Sequence, residues 1–196
     1  MDVDANLITE IVDRQRILDV IMRYARAADR RDPEIFAAVF WPDGGFEGGP
    51  IDGPSRDLTG AMCELLDHIM DVTQHFMLNS IIELDGGRAY GETYFIAYHR
   101  SRPTSDSAEA MLGLETLENL GGDRSRHYDY IIGGRYLDLF ERRDDQWRIK
   151  TRRLVADWTK CGIATATTTG LVNKLRFRGS ANRDDPSYEW LRGNPS

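Results

Sequence analysis

Two residues of this chain have types and positions that suit proton transfer. Asp29 closes the run Tyr24-Ala25-Arg26-Ala27-Ala28-Asp29, and His75 lies near the start of the strand-like run Gln74-His75-Phe76-Met77-Leu78-Asn79. An imidazole held by a carboxylate moves protons near neutral pH, because histidine titrates there and the acid fixes its tautomer. Each residue also has a plainer reading. A strand histidine can be a buried ring bonded to a carbonyl, and an Asp at a helix end suits a cap or turn. His99 alternates with Phe95 and Ala97, and is either a second site imidazole or a rim residue. Tyr24, Tyr94, Tyr98, Tyr128, Tyr130 and Tyr136 supply phenols that donate a hydrogen bond or pack with one wet end. Arg152 and Arg153 are neighbours on a strand, so one of them faces inward. An inward guanidinium calls for a carboxylate such as Asp29 or Asp157, or for a substrate anion. His68 and His127 sit in polar contexts and are expected at the surface.

Two histidines with a carboxylate form the rival reading, a non-haem iron or zinc site. No HxH or HxxxH spacing occurs, so neither a metal nor another cofactor is expected. GxGxxG, Walker and GxSxG patterns are absent, and Gly44-Gly45 and Gly48-Gly49 read as turn glycines.

The elements must carry Asp29 and His75 to one place. Residues 7–28 read as an amphipathic helix with Ile8, Ile11, Val12, Leu18, Ile21, Met22 and Ala25 on its buried side. Asp32-Pro33 restarts a short helix, with Asp32 as N-cap and Pro33 in the first helical position. Pro42-Asp43-Gly44-Gly45 is expected to end it, with a turn and a short strand near Phe46 before Pro54. A third helix is expected over 57–70. The period then changes to two: 73–84 and 88–100 make one hairpin around Asp85-Gly86-Gly87, and 128–142 and 146–158 make another around Asp144-Asp145. In an unbroken strand His75 shares a face with Met77, Asn79 and Ile81. Residues 101–126 read as a long loop or lid with one helical turn near 108–114. Residues 159–196 form a C-terminal extension that wraps a neighbouring subunit or is partly mobile.

Helices first and long antiparallel strands afterwards predict an α+β fold, a curved sheet wrapped round the N-terminal helices as a cone whose mouth holds a small molecule. The 196 residues, 41% hydrophobic and 29% charged, fit one soluble domain over 1–158 plus the extension. A net charge of -7 argues against a nucleic-acid or anionic-membrane partner. No signal-peptide pattern or membrane-length apolar run is seen, and two cysteines support no disulfide framework, so a cytoplasmic protein is expected.

The frame Ile17-x6-Tyr24-x4-Asp29-x6-Phe36-x3-Phe40, then Asp43-Gly44, then Thr73-x-His75-x3-Asn79, resembles the SnoaL-like branch of the nuclear transport factor 2 superfamily. Gly134-Arg135-Tyr136-x-Asp138-x-Phe140-x-Arg142-Arg143 and Trp147-x-Ile149-x2-Arg152 complete a resemblance that spans residues 8–158. It is closest to the cofactor-independent lyases of that superfamily: hexachlorocyclohexane dehydrochlorinase, scytalone dehydratase and the bile-acid dehydratase. The resemblance places their Asp–His dyad on Asp29 and His75. It places the bile-acid enzyme's tyrosine on Tyr24, scytalone dehydratase's second histidine on His99 and the dehydrochlorinase's arginine on Arg152. The dehydrochlorinase has lysine at the position of Tyr24, and no one relative matches throughout. The implied activity is lyase chemistry on a hydrophobic aromatic or alicyclic molecule, expelling water, halide or, from a lignin-type diaryl compound, formaldehyde. A homotrimer is implied as well. The superfamily also includes small subunits of ring-hydroxylating dioxygenases and polyketide cyclases, so both stay open.

Overall fold

The computed structural model describes residues 5–165 and 169–193. Helix α1 (Ala5–Arg30) leads into α2 (Pro33–Val39), strands β1 (Phe40–Glu47) and β2 (Gly53–Pro54), and helix α3 (Ser55–Ile69). A hairpin of β3 (Met70–Asp85) and β4 (Arg88–Ser101) follows, then helices α4 (Ser105–Leu112) and α5 (Leu114–Asn119). A second hairpin, β5 (Tyr128–Arg143) and β6 (Gln146–Ile163), precedes a 3-10 turn at Gly170–Lys174 and helix α6 (Ser187–Leu191). The strands form one sheet in the order β2-β1-β6-β5-β4-β3, antiparallel except where β1 runs beside β6. Helices α1 to α3 and the concave sheet face share one apolar core, which is the expected α+β cone. No helix among the described residues is long and apolar enough to cross a membrane.

Alternation explains why the sheet has a covered and an open face. On β4, Ala89, Thr93, Phe95, Ala97 and His99 are buried while Tyr90 and Tyr94 are exposed. The first hairpin turns with Gly86 at φ 58°, and the second through Asp144 and Asp145 at φ 47° and 62°. Aspartate tolerates that left-handed conformation better than most residues.

Several expectations are corrected. Ile8, Ile11 and Val12 are exposed because burial on α1 begins at Asp13 and Ile17, and Met22 is exposed because the buried stripe runs through Val20, Ile21, Tyr24 and Ala25. Asp13 is itself buried, accepting from Trp147 Nε1 at 2.8 Å and Arg142 Nη1 at 3.0 Å. Pro42-Asp43-Gly44-Gly45 does not break the chain but lies within β1, whose register with β6 shifts between Phe40 and Gly45. Gly44 allows this approach: a Cβ there would sit 2.8 Å from the Lys150 carbonyl oxygen. On β3 the ladder shifts between Met77 and Ser80, so Asn79 and Ile81 turn outward and Ile82 is buried. Such a bulge re-aims every later side chain. Residues 101–126 hold two helices instead of one turn. Thr104 caps the first, accepting from Ser107 N–H at 3.4 Å, and Gly113 at φ 73° joins them. Strand β6 continues five residues beyond 158, and residues 179–188 pack on the α1–α2 corner of their own chain.

Candidate active site

Asp29 occupies the last turn of α1 and His75 the sixth position of β3, and the packing of α1 on β3 brings them together. His75 Nδ1 lies 2.7 Å from Asp29 Oδ1, and the His75 backbone N–H donates to both carboxylate oxygens at 3.0 Å. The carboxylate thus holds the ring and its strand at once. With Nδ1 hydrogen-bonded to Asp29, the ring's basic lone pair falls on Nε2.

His75 lines a cavity of about 350 Å³ between the helices and the sheet. Its walls are largely apolar: Leu65, Leu66 and Ile69 from α3, Phe95 and Ala97 from β4, Met111 from α4. The polar groups are few. His99 meets His75 edge to face, with ring centroids 5.6 Å apart, and lies nearly parallel to Tyr130 at 6.3 Å. It is 7% exposed, and its Nδ1 has no hydrogen-bond partner among the described residues. Burial, then the neighbouring His75, lowers its pKa to about 3, so the ring is neutral at physiological pH.

Tyr24 and Tyr136 form the other polar end of the same cavity, with ring centroids 5.4 Å apart. Burial raises the Tyr24 pKa; Arg152 and a hydrogen bond with Tyr136 pull the other way without cancelling it. Burial raises Tyr136 further still. Both phenols therefore stay protonated and can donate.

Arg152 faces inward, as expected of one of the two adjacent arginines, but its expected partners are corrected. It is fully buried below the cavity and forms a bidentate pair with Asp138, Nε to Oδ1 and Nη2 to Oδ2, each at 2.7 Å. The two residues face each other across the β5–β6 ladder. The guanidinium carbon sits 3.9 Å from the Tyr24 ring centroid and 4.2 Å from that of Tyr136. Burial opposes the Arg152 charge, yet Asp138 outweighs it and holds the pKa above its ordinary value. Arg152 does not line the cavity, so its influence reaches a bound molecule through the tyrosines. Asp157 is taken by Arg135, at 2.9 and 3.0 Å, and Arg153 faces out to Glu47 at 2.7 Å. His68 is exposed; His127 is half-buried, with Nδ1 2.7 Å from the Ser101 carbonyl oxygen. No group of three or more His, Cys, Asp or Glu side chains among the described residues is placed to hold a metal ion.

The sequence does not single out Asp138, and it offers Tyr136 only as one of six phenols. The alternation of Gly134, Tyr136 and Asp138 was the available signal, since it puts a carboxylate on the face that an inward Arg152 must share.

Comparison with known proteins agrees with this architecture. Among solved structures, a proposed scytalone dehydratase from Novosphingobium aromaticivorans DSM 12444 is 22% identical, with a TM-score of 0.61, covering 84% of this chain and 97% of its own. A hexachlorocyclohexane dehydrochlorinase of type 3 from Novosphingobium barchaimii LL02 is 14% identical, with a TM-score of 0.61, covering 83% and 98%. The type 2 dehydrochlorinase is 14% identical at a TM-score of 0.64, covering 84% and 97%. These likenesses concern the fold. No curated protein matches. The model of the SnoaL-like domain matches residues 9–153, most of the chain and both halves of the dyad, and the chain belongs to that family.

Proposed function

We propose that the protein is a cofactor-independent lyase acting on a small hydrophobic molecule, aromatic or alicyclic. The observation that carries this reading is the 2.7 Å contact between His75 and Asp29 at the wall of an apolar cavity. His75 Nε2 removes a proton beside a leaving group, while Asp29 fixes the tautomer and stabilises the imidazolium. For loss of water or halide, the electron pair of the broken C–H bond becomes the new double bond as the leaving group departs. For loss of formaldehyde the proton comes from the hydroxymethyl O–H, whose electron pair forms the formaldehyde C=O while the broken C–C pair forms the new double bond and a neighbouring hydroxyl departs as water. Tyr24 serves as the hydrogen-bond or proton donor to the departing or charge-gathering oxygen, with Arg152 polarising it from below. His99, neutral and with a free Nδ1, orients the substrate and does not supply an imidazolium proton.

The rival reading as a non-catalytic dioxygenase subunit draws on the exposed apolar residues of the outer sheet face, Phe76, Leu78 and Tyr94 among them. A subunit with only an assembly role has no use for a carboxylate-held imidazole beside a cavity. A polyketide-type cyclase would use the same dyad on an enolisable chain. The test is a panel of aromatic and alicyclic candidates followed by ultraviolet absorbance. His75→Ala is expected to lower turnover by about 10²–10⁴, the contribution of a general base, with its circular dichroism unchanged. Turnover near the wild-type level in that variant would refute the dyad.

A further inference from the structure

A second cavity, of about 280 Å³, lies against the other half of the dyad. Asp29 and Arg30 form one wall, residues 71–74 of β3 another, and Gly179, Ser180 and Ala181 close it. His75 lines the first cavity and Asp29 the second, with residues 179–181 of the C-terminal segment forming part of the wall of the second.

That segment is fastened tightly. Asp185 is 4% exposed and accepts from the backbone N–H of Ser180 and of Ser187 at 3.0 Å each, and from the Ser187 hydroxyl. Its Oδ2 lies 3.3 Å from Arg30 Nε. One turn earlier on α1, Arg26 donates to Ser187 Oγ at 2.9 Å and lies 4.6 Å from the Tyr188 ring centroid. Tyr188 donates to Asp32 Oδ2 at 2.6 Å, while Oδ1 of Asp32 caps α2 through the N–H groups of Glu34 and Ile35. The anchors at Arg26, Arg30 and Asp32 bracket Asp29.

Nonspecific docking of an apolar tail would bury its apolar residues. Here Phe177, Trp190 and Leu191 stay exposed at 63%, 69% and 70%, whereas Asp185 and Asp32 are buried. The contacts are polar, directional and gathered on the helix end that carries the acid. Helix ends open easily, and an orienting carboxylate must be held to within fractions of an ångström.

We infer that residues 179–188 are a strap that holds the end of α1, and with it Asp29, against His75, with Asp185 and Tyr188 as positioning residues. The strap rests on the dyad assigned above and on no particular leaving group. Proton NMR of the full chain tests it without a substrate. An imidazole N–H bound to a shielded carboxylate gives a far-downfield signal, assigned here by its loss in His75→Ala. In Asp185→Asn and in the milder Tyr188→Phe, that proton is expected to exchange with water about tenfold faster, well below the melting transition. Arg30→Lys, which keeps the charge facing Asp185, should restrain exchange better than Arg30→Ala. A merely structural tail would lower the melting temperature and leave the exchange rate alone. Unchanged exchange in both strap variants, or no downfield proton in the wild type, overturns the proposal. A protected proton with no turnover on any candidate would sink the lyase reading and leave the strap standing.

Discussion

Among the described residues the Asp29 carboxylate directs its three hydrogen bonds to one residue, two to the His75 backbone N–H and one to its ring. A surface ion pair has no such economy; the arrangement fixes ring position, tautomer and strand together. The pair is legible in the sequence because each residue lies on a regular element whose inner face can be counted. The neutrality of His99 is not legible, since it depends on burial. It has a consequence for stability. Its folded pKa, about 3, lies below the ordinary value of 6.5, so the unfolded chain binds the extra proton between those pH values. Stability from this group is therefore complete above pH 6.5 and is lost as pH falls toward 3. Between pH 7 and 5 the loss is on the order of 2 kcal/mol. Urea midpoints at the two pH values should show it in the wild type, and His99→Phe should show a smaller drop. An equal drop in both proteins would mean that His99 is not held neutral.

At the scale of elements, the β5–β6 ladder sets what lies beneath the cavity. Asp138 and Arg152 face each other because the register shifts between Leu139 and Phe140; a second shift follows between Gly133 and Gly134. Neither shift can be read from alternation alone, so the sequence points Arg152 inward but does not identify Asp138 as its partner. The β3 bulge that turned Asn79 outward has the same origin. Gly44 and Gly45 misled in the opposite direction: glycines that usually mark a turn here permit close packing of β1 on β6. The buried pair makes a quantitative expectation. Asp138→Asn leaves Arg152 charged and poorly matched in an apolar layer, and such a half-broken pair costs about 3–5 kcal/mol. Replacing both members, as in Asp138→Leu with Arg152→Met, should recover much of that loss in a urea titration. If the single variant were as stable as the double, the pair would have no electrostatic role.

The whole molecule buries one face of its sheet and leaves the other apolar. Phe76, Leu78, Ile81, Tyr90 and Tyr94 are exposed at 38% to 56%, and the β3 bulge itself brings Ile81 to that side. Helices and the extension cover the concave face and the α1–α2 corner, and these side chains stay exposed among the described residues. Contiguous apolar surface of this kind marks association more often than solvent contact. The ion pairs of Arg135 with Glu92 and Asp157 lie across the neighbouring strands β4, β5 and β6. Self-association through this face is the prediction, with a homotrimer the assembly that the sequence resemblance implies. Light scattering behind size exclusion should give three times the chain mass of 22.3 kDa. Leu78→Glu with Ile81→Lys should shift the protein toward the monomer, because each charge would have to be desolvated at the contact. The downfield His75 proton should persist in that monomer, since both halves of the dyad come from one chain. A wild-type monomer, or an assembly indifferent to charges on β3, would move the contact elsewhere on the molecule.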